Sequence, residues 1–167
     1  TFVEHILEFA EKKNFKYDLI HSHYWMSGIA ASELQAAWGV PVVHMFHTLG
    51  MMKQRIARSE DEAEGEYRIQ GENKVIRLAD RIVAATVAEL AQLEWLYHAD
   101  AAHIRVIPPG VDTSHFYPIP PDEAKEFIGV PVDDRMLLFV GRIEPLKGID
   151  TLIQAIALMR KQGVLER

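Results

Sequence analysis

The sequence predicts an α/β fold with a parallel sheet. Two observations carry that expectation. Strand-like and helix-like segments alternate along the chain. The strand-like segments also read as apolar throughout, the pattern of parallel strands buried between helix layers. Residues 2–13 place Phe2, Val3, Ile6, Leu7 and Ala10 on one helical stripe. Residues 17–20 then read as a short strand, and residues 26–38 as a helix that stops at Gly39. Residues 40–46 are a second strand. Residues 51–58 are basic and read as loop or frayed helix. Ser59 and Glu62 have capping-box spacing, which starts a helix running to about Ala79. Residues 81–85 are a third strand. Thr86 and Glu89 repeat the capping spacing, and Leu90, Leu93 and Leu96 line the helix that follows. Residues 104–107 are a fourth strand.

The character of the chain then changes. Six prolines fall between Pro108 and Pro131, which reads as a linker with one short helix near residues 122–128. Residues 136–140 read as a strongly buried strand ending at Gly141-Arg142. A helix begins near Gly148, with Ile149, Leu152, Ile153 and Ile156 facing inward. This organisation predicts a Rossmann-like domain over residues 1–117, a linker over 118–134, and the first strand–helix unit of a second such domain over 135–167. One unit cannot bury its own core. Apolar surface is therefore expected around residues 136–160, which favours association; the oligomeric state stays open. The chain begins with Thr and stops within a helical pattern, which reads as a piece cut from a longer protein.

Composition narrows the function. The 167 residues are 49% hydrophobic and 25% charged, with a net charge of −6 and no cysteine. The acidic balance argues against a general nucleic-acid grip. The lack of cysteine excludes a disulfide framework, a Cys-ligated zinc and a cysteine nucleophile, and fits the cytoplasm. There is no apolar run of membrane-spanning length and no visible signal peptide.

Several clusters could do chemistry. His21-Ser22-His23-Tyr24-Trp25 stands where a strand gives way to a helix. Ligands of open α/β sheets bind beyond the carboxyl ends of strands. His23, Tyr24 and Trp25 are therefore candidates for substrate contact, or else they pack locally. His44 and His47 follow the next strand. Four histidines raise the question of a metal, but no third-ligand spacing completes a site, and a histidine hydrogen-bonding a substrate is preferred. Lys53, Arg55, Arg58 and Arg68 could hold a phosphate. The favoured reading from the residues alone is a solvated face neutralised by neighbouring acids. Thr86 is an N-cap, a role compatible with meeting an anion. Gly141, Arg142, Lys147 and Gly148 join a strand to a helix. Two cations on such a loop suit a pyrophosphate, although the order is not that of a Walker loop.

Taken in order, these motifs carry a resemblance. His21-Ser22-His23-Tyr24-Trp25-Met26-Ser27-Gly28, His47-Thr48-Leu49-Gly50, Val106-Ile107-Pro108-Pro109-Gly110-Val111-Asp112 with Phe116 and Pro118, and Phe139-Val140-Gly141-Arg142 with Lys147-Gly148 succeed one another. The chain resembles a family 4 retaining glycosyltransferase of the GT-B fold. It is most similar to the branch that includes sucrose-phosphate synthase and the mycothiol-pathway N-acetylglucosaminyltransferase. The resemblance implies two Rossmann-like domains and transfer of a sugar from a nucleotide-diphosphate donor, UDP- or GDP-linked, to an acceptor such as a sugar phosphate. It implies that Gly141, Arg142 and Lys147 hold the donor diphosphate and that His47 lies near the donor sugar. Arg142 and Lys147 would also stabilise the departing charge. Lys53 would reach an acceptor phosphate, with His23, Tyr24, Tyr67, Arg68 and Thr86 as further acceptor-side residues. It implies no metal and no cofactor beyond the donor substrate. The family's early glycine-rich loop and its later pair of glutamates are absent, so turnover is expected of a longer parent and not of this chain alone. A nucleotide-sugar epimerase and a non-catalytic sugar-phosphate or partner-binding domain are the alternatives.

Overall fold

A computed structural model of the chain describes residues 1–57, 64–144 and 147–164. The chain divides into two compact units, Thr1–Pro109 and Gly110–Arg167.

The first unit is a four-stranded parallel sheet with strand order β1-β2-β3-β4. Its strands are β1 (Ile20–His23), β2 (Val42–Met45), β3 (Arg81–Ala84) and β4 (Ile104–Val106). Its helices are α1 (Phe2–Lys13), α2 (Trp25–Trp38), α3 (Gly50–Ile56), α4 (Glu66–Leu78) and α5 (Val87–Tyr97). Parallel neighbours need crossovers, and those crossovers are right-handed. Because the strands succeed one another in a single direction, that handedness places α2, α4 and α5 on one face. The buried cluster lies there: Ala31 from α2, Val75 from α4, Leu93 from α5, and Val42, Ile82, Ala84 and Ile104 from the strands.

The parallel sheet flanked by helices is the expected architecture, while the burial expected on both faces of the strands is found mainly on one among the described residues. Burial alternates along the strands. Ser22, Val42, His44, Ile82, Ala84 and Ile104 are buried, while His21, His23, Arg81 and Arg105 on the opposite face are exposed. The first strand also lies three residues later than its apolar residues suggested, so it reads Ile-His-Ser-His. Its register places Ser22 beside His44. That pairing lets a polar strand enter the sheet, because the two side chains satisfy each other by a 2.7 Å hydrogen bond.

The helix ends follow local chemistry. Thr1 caps α1 in a capping box with Glu4. Gly39 closes α2 at φ 67°, which a glycine adopts without a Cβ penalty. Thr86 accepts the Glu89 N–H at 3.1 Å. The Glu89 carboxylate reaches back past Thr86 to the Ala85 N–H at 2.7 Å. The basic stretch, which reads as loop or frayed helix from sequence, forms α3. Asp80 ties the sheet together at the other end, accepting from Val42 N–H at 2.8 Å and from Gln35 at 3.1 Å. The capping pair Ser59 and Glu62, together with Arg58, lies outside the described residues.

The second unit contains α6 (Pro121–Phe127) and α7 (Ile149–Lys161). Lys125 anchors the turn after α6 by donating to the Asp134 carbonyl at 2.7 Å. The expected strand over 136–140 is not formed. Leu137, Leu138 and Val140 are exposed, Val140 at 85%. An extended segment becomes a strand only where a neighbour accepts its backbone hydrogen bonds, and none is present among the described residues. Leu152 and Ile156 are half-buried, while Ile153 on the same helix is exposed.

Candidate functional site

The site gathers at the carboxyl ends of β1 and β2. The β1 chain leaves the sheet through Tyr24, whose N–H donates to the Met45 carbonyl at 2.9 Å. Tyr24 has φ 69° and ψ 146°. Such a conformation is nearly exclusive to glycine, and strain of this type clusters at functional sites. His47 follows β2 and has φ 63°. Two non-glycine residues with left-handed φ therefore stand side by side in the fold. Between them, His23 Nδ1 and His47 Nε2 are 2.8 Å apart and their rings stack with centroids at 5.0 Å. The His21 ring lies 4.2 Å from that of His23, as expected for alternate residues on one strand face.

Beneath this surface a buried polar network fixes the His47–Gly50 turn. Glu72 is fully buried on α4. Its two oxygens accept from the Gly50 N–H at 2.9 and 3.0 Å. One also accepts from Arg68 Nε at 2.9 Å, and the other accepts a hydrogen bond from the Tyr97 hydroxyl. The Tyr97 oxygen accepts in turn from the Met51 N–H at 2.9 Å. Arg68 is 1% exposed and directs a second nitrogen to Thr48, at 3.2 Å to the carbonyl and 3.0 Å to the hydroxyl. Gly50 is needed for this contact, since a Cβ there would stand 3.0 Å from Glu72 Oε2. Arg68 is thus built into the support of the turn and is not presented at the surface, as a direct acceptor contact would require.

Lys53 and Arg68 nonetheless converge. Glu64 Oε1 accepts from Lys53 Nζ at 2.8 Å and from Arg68 Nη1 at 2.6 Å. The Arg68 guanidinium lies 5.2 Å from the Tyr24 ring centroid, within cation–π range. Trp25 meets Tyr67 edge to face at 5.7 Å. The Trp25 ring lies so close to α4 that a Cβ on Gly71 would stand 2.7 Å from it. The structure thus joins His23, Tyr24, His47, Lys53 and Tyr67 in one connected surface, with Arg68 buried beneath it. Arg55 is separate, with its guanidinium 4.1 Å over the Trp95 ring. Thr86 is exposed at the carboxyl end of β3 as the cap of α5. Gly141, Arg142 and Lys147 belong to the second unit. There the Arg142 side chain is 83% exposed and lies 3.3 Å from Glu144, and Lys147 N–H donates to the Glu144 carbonyl at 2.9 Å. Among the described residues no three His, Asp or Glu side chains form a group able to hold a metal ion.

The sequence model described as Glycosyltransferase Family 4 matches residues 3–115. The chain belongs to glycosyltransferase family 4. Within that family it is 44% identical over 144 residues to a D-inositol 3-phosphate glycosyltransferase of Thermobispora bispora, covering 86% of this chain and 34% of that protein. A D-inositol 3-phosphate glycosyltransferase of Kineococcus radiotolerans is 47% identical over 148 residues, with coverage of 87% and 34%. Among solved structures, sucrose-phosphate synthase from Thermosynechococcus elongatus aligns with a TM-score of 0.80 and 31% identity, over 95% of this chain and 38% of that one. The Anabaena protein HepE, solved with UDP and glucose, shares the fold at a TM-score of 0.69 and 19% identity, over 93% and 39%. The chain spans about a third of the length of the curated relatives it matches.

Charge in this cluster is shaped largely by burial. The imidazole of His44 is fully enclosed, and burial pushes its pKa down to about 3, helped by His23, His47 and His21. It is therefore neutral. His23 is lowered by the same causes, burial first and then His21 and His47. Burial alone would lower Arg68, but its hydrogen bond to Glu72 and the charges of Glu72 and Glu64 outweigh that and raise it. Burial and the bond to Glu72 push the Tyr97 phenol up. Sequence reading missed Glu72, Tyr97 and the Thr48 contact. The four-residue spacing of Arg68 and Glu72 on a helix was the available signal. Nothing in the sequence brought Tyr97 to them.

Proposed function

We propose that this chain supplies the acceptor side of a retaining glycosyltransferase. The whole protein moves a sugar from a UDP- or GDP-linked donor to a sugar phosphate or a similar small molecule. The observation that carries this reading is the partly exposed Lys53 ammonium, 2.8 Å from a carboxylate oxygen of Glu64 that the buried Arg68 binds from behind at 2.6 Å. A phosphate oxygen offers the same charge-assisted contact. Family membership and relatives named for inositol 3-phosphate support the same acceptor class.

In this reading Lys53 and Tyr67 meet the acceptor, Tyr24 and His23 shape its floor, and Arg68 holds the surface in place. Thr86 offers its hydroxyl at the next strand end. His47 faces the donor sugar. Gly141, Arg142 and Lys147 hold the donor diphosphate. The acceptor hydroxyl oxygen bonds to the anomeric carbon as the bond from that carbon to the diphosphate breaks, and its proton passes to the leaving diphosphate. Attack and departure share one face, so configuration is retained. Arg142 and Lys147 stabilise the developing negative charge, in place of a metal or other cofactor. No described helix is long and apolar enough to cross a membrane, and we place the reaction in the cytoplasm.

The test is a transfer assay on a longer protein carrying this chain, with UDP- and GDP-sugars and an inositol phosphate. Transfer is expected, with an acceptor KM raised by Lys53→Ala and turnover abolished by Arg142→Ala. Epimerised nucleotide sugar without acceptor, or no transfer at all, would overturn the proposal.

A further inference from the structure

The histidine pair at the strand ends has chemistry that the acceptor surface does not absorb. His23 Nδ1 and His47 Nε2 stand 2.8 Å apart. A hydrogen bond between two neutral imidazoles needs one donor and one acceptor. If His23 carries its proton on Nδ1, its own Nε2 is an acceptor and His47 is left with Nδ1–H as a donor. If His47 carries its proton on Nε2, its Nδ1 is the acceptor and His23 presents Nε2–H. In either case the outer nitrogens have opposite character, and the two rings share one tautomer.

The fold holds both rings from their backbones. The sheet register fixes His23 opposite Met45. The next residue, Tyr24, bonds back to the Met45 carbonyl. His47 is held at φ 63°, and Arg68 grips its neighbour Thr48 through both carbonyl and hydroxyl. The group beside the pair is His21 on β1; His44 on β2 lies on the opposite, buried face of the sheet, where burial keeps it uncharged. Both members of the pair are exposed, so a ligand can reach them.

We propose that His23 and His47 act as one unit, in which His23 sets the tautomer of His47 and the pair offers one donor and one acceptor to hydroxyl groups of a sugar ligand. Only the identity of that ligand rests on the proposed function. His23 is a positioning residue for His47. Exchanging the roles of the two outer nitrogens takes a proton across the bond together with release of one from His47 Nδ1 and uptake of one at His23 Nε2, by way of water or ligand hydroxyls, so the net charge is unchanged.

The test is ring-nitrogen NMR on this chain, at a pH well above the ordinary histidine range. His23 and His47 are expected to show the same ratio of the two tautomers. His23→Ala should move His47 to the ratio of a free imidazole. His23→Asn, whose amide can donate or accept at the place of Nδ1, should move His47 away from the free-imidazole ratio again. Different ratios on the two rings, or a His47 signal unmoved by His23→Ala, would overturn the pairing. In the longer protein, His23→Ala and His47→Ala should each cost about tenfold or more in kcat/KM, and the double variant little beyond either alone. Fully additive losses would overturn the coupled role. Absence of transfer by the unaltered protein would remove the proposed function, while the tautomer measurement would still decide the pair.

Discussion

The turn after β2 and the segment before α7 read alike in the sequence, and the fold treats them in opposite ways. Each is an apolar strand candidate followed by histidine or arginine, glycine and lysine. The first is gripped. Val42–Met45 has a hydrogen-bonded strand on either side, and the turn beyond it is fastened by Glu72, Arg68 and Tyr97. The second is more open. Residues 136–140 form no strand, and Arg142 is 83% exposed, 3.3 Å from Glu144. The lesson is that apolar character nominates a strand, but neighbours that accept its backbone bonds make one.

The largest test of that contrast is Glu72→Ala. It removes the acceptor of the Gly50 N–H and leaves the buried Arg68 Nε without its carboxylate, with Glu64 as the one remaining carboxylate among the described residues. Breaking a buried pair in this way costs about 3–5 kcal/mol, so a marked fall in the denaturation midpoint is expected. In the second unit, Leu138→Ala lies at an exposed position. It should change stability by about 0.5 kcal/mol or less by the same measurement. Equal effects at the two positions would erase the distinction.

Between these extremes lies His44. Its folded pKa is depressed to about 3 by burial. The unfolded chain therefore binds the extra proton below the ordinary histidine pKa, while the folded chain does not. The stability is fully present above about pH 6.5 and is lost progressively as pH falls toward the folded value. Denaturant titration should show a loss of about 2 kcal/mol between about pH 7 and about pH 5. His44→Asn, which can still bond Ser22 but does not titrate, should flatten that slope.

A smaller effect sharpens the account of Tyr24. Tyr24→Ala and Tyr24→Gly both delete the ring, but only glycine relieves the backbone at φ 69°. The glycine variant should be the more stable of the two by about 1 kcal/mol. The reverse order in thermal denaturation would show that the conformation carries no strain.

Much of the fold was legible. The order of elements, the Gly39 stop and the Thr86 cap follow from periodicity and capping chemistry. The start of the first strand was not. Tyr17, Leu19 and Ile20 look more strand-like than His21, Ser22 and His23. The sheet uses the polar run because Ser22 finds His44 across the register, and a side-chain pair between strands leaves no local trace. The site divides in the same way. The surface residues came from motif and resemblance. Their support came from residues far apart in sequence, since Glu72 and Tyr97 reach Gly50 and Met51 only after α4 and α5 have packed on the sheet. Arg68 was nominated as an acceptor contact, and its burial between two carboxylates is likewise a product of packing.

The central claim is that the surface carrying Lys53, backed by the buried Arg68, is an anion site for a phosphorylated acceptor. The most direct measurement is calorimetric titration of this chain with an inositol phosphate, repeated on Lys53→Ala. The account predicts binding that weakens by about tenfold or more in the variant, the size of one charge-assisted contact of roughly 1.4 kcal/mol. Equal affinity in the two proteins, or no heat from the folded unaltered chain, would contradict it.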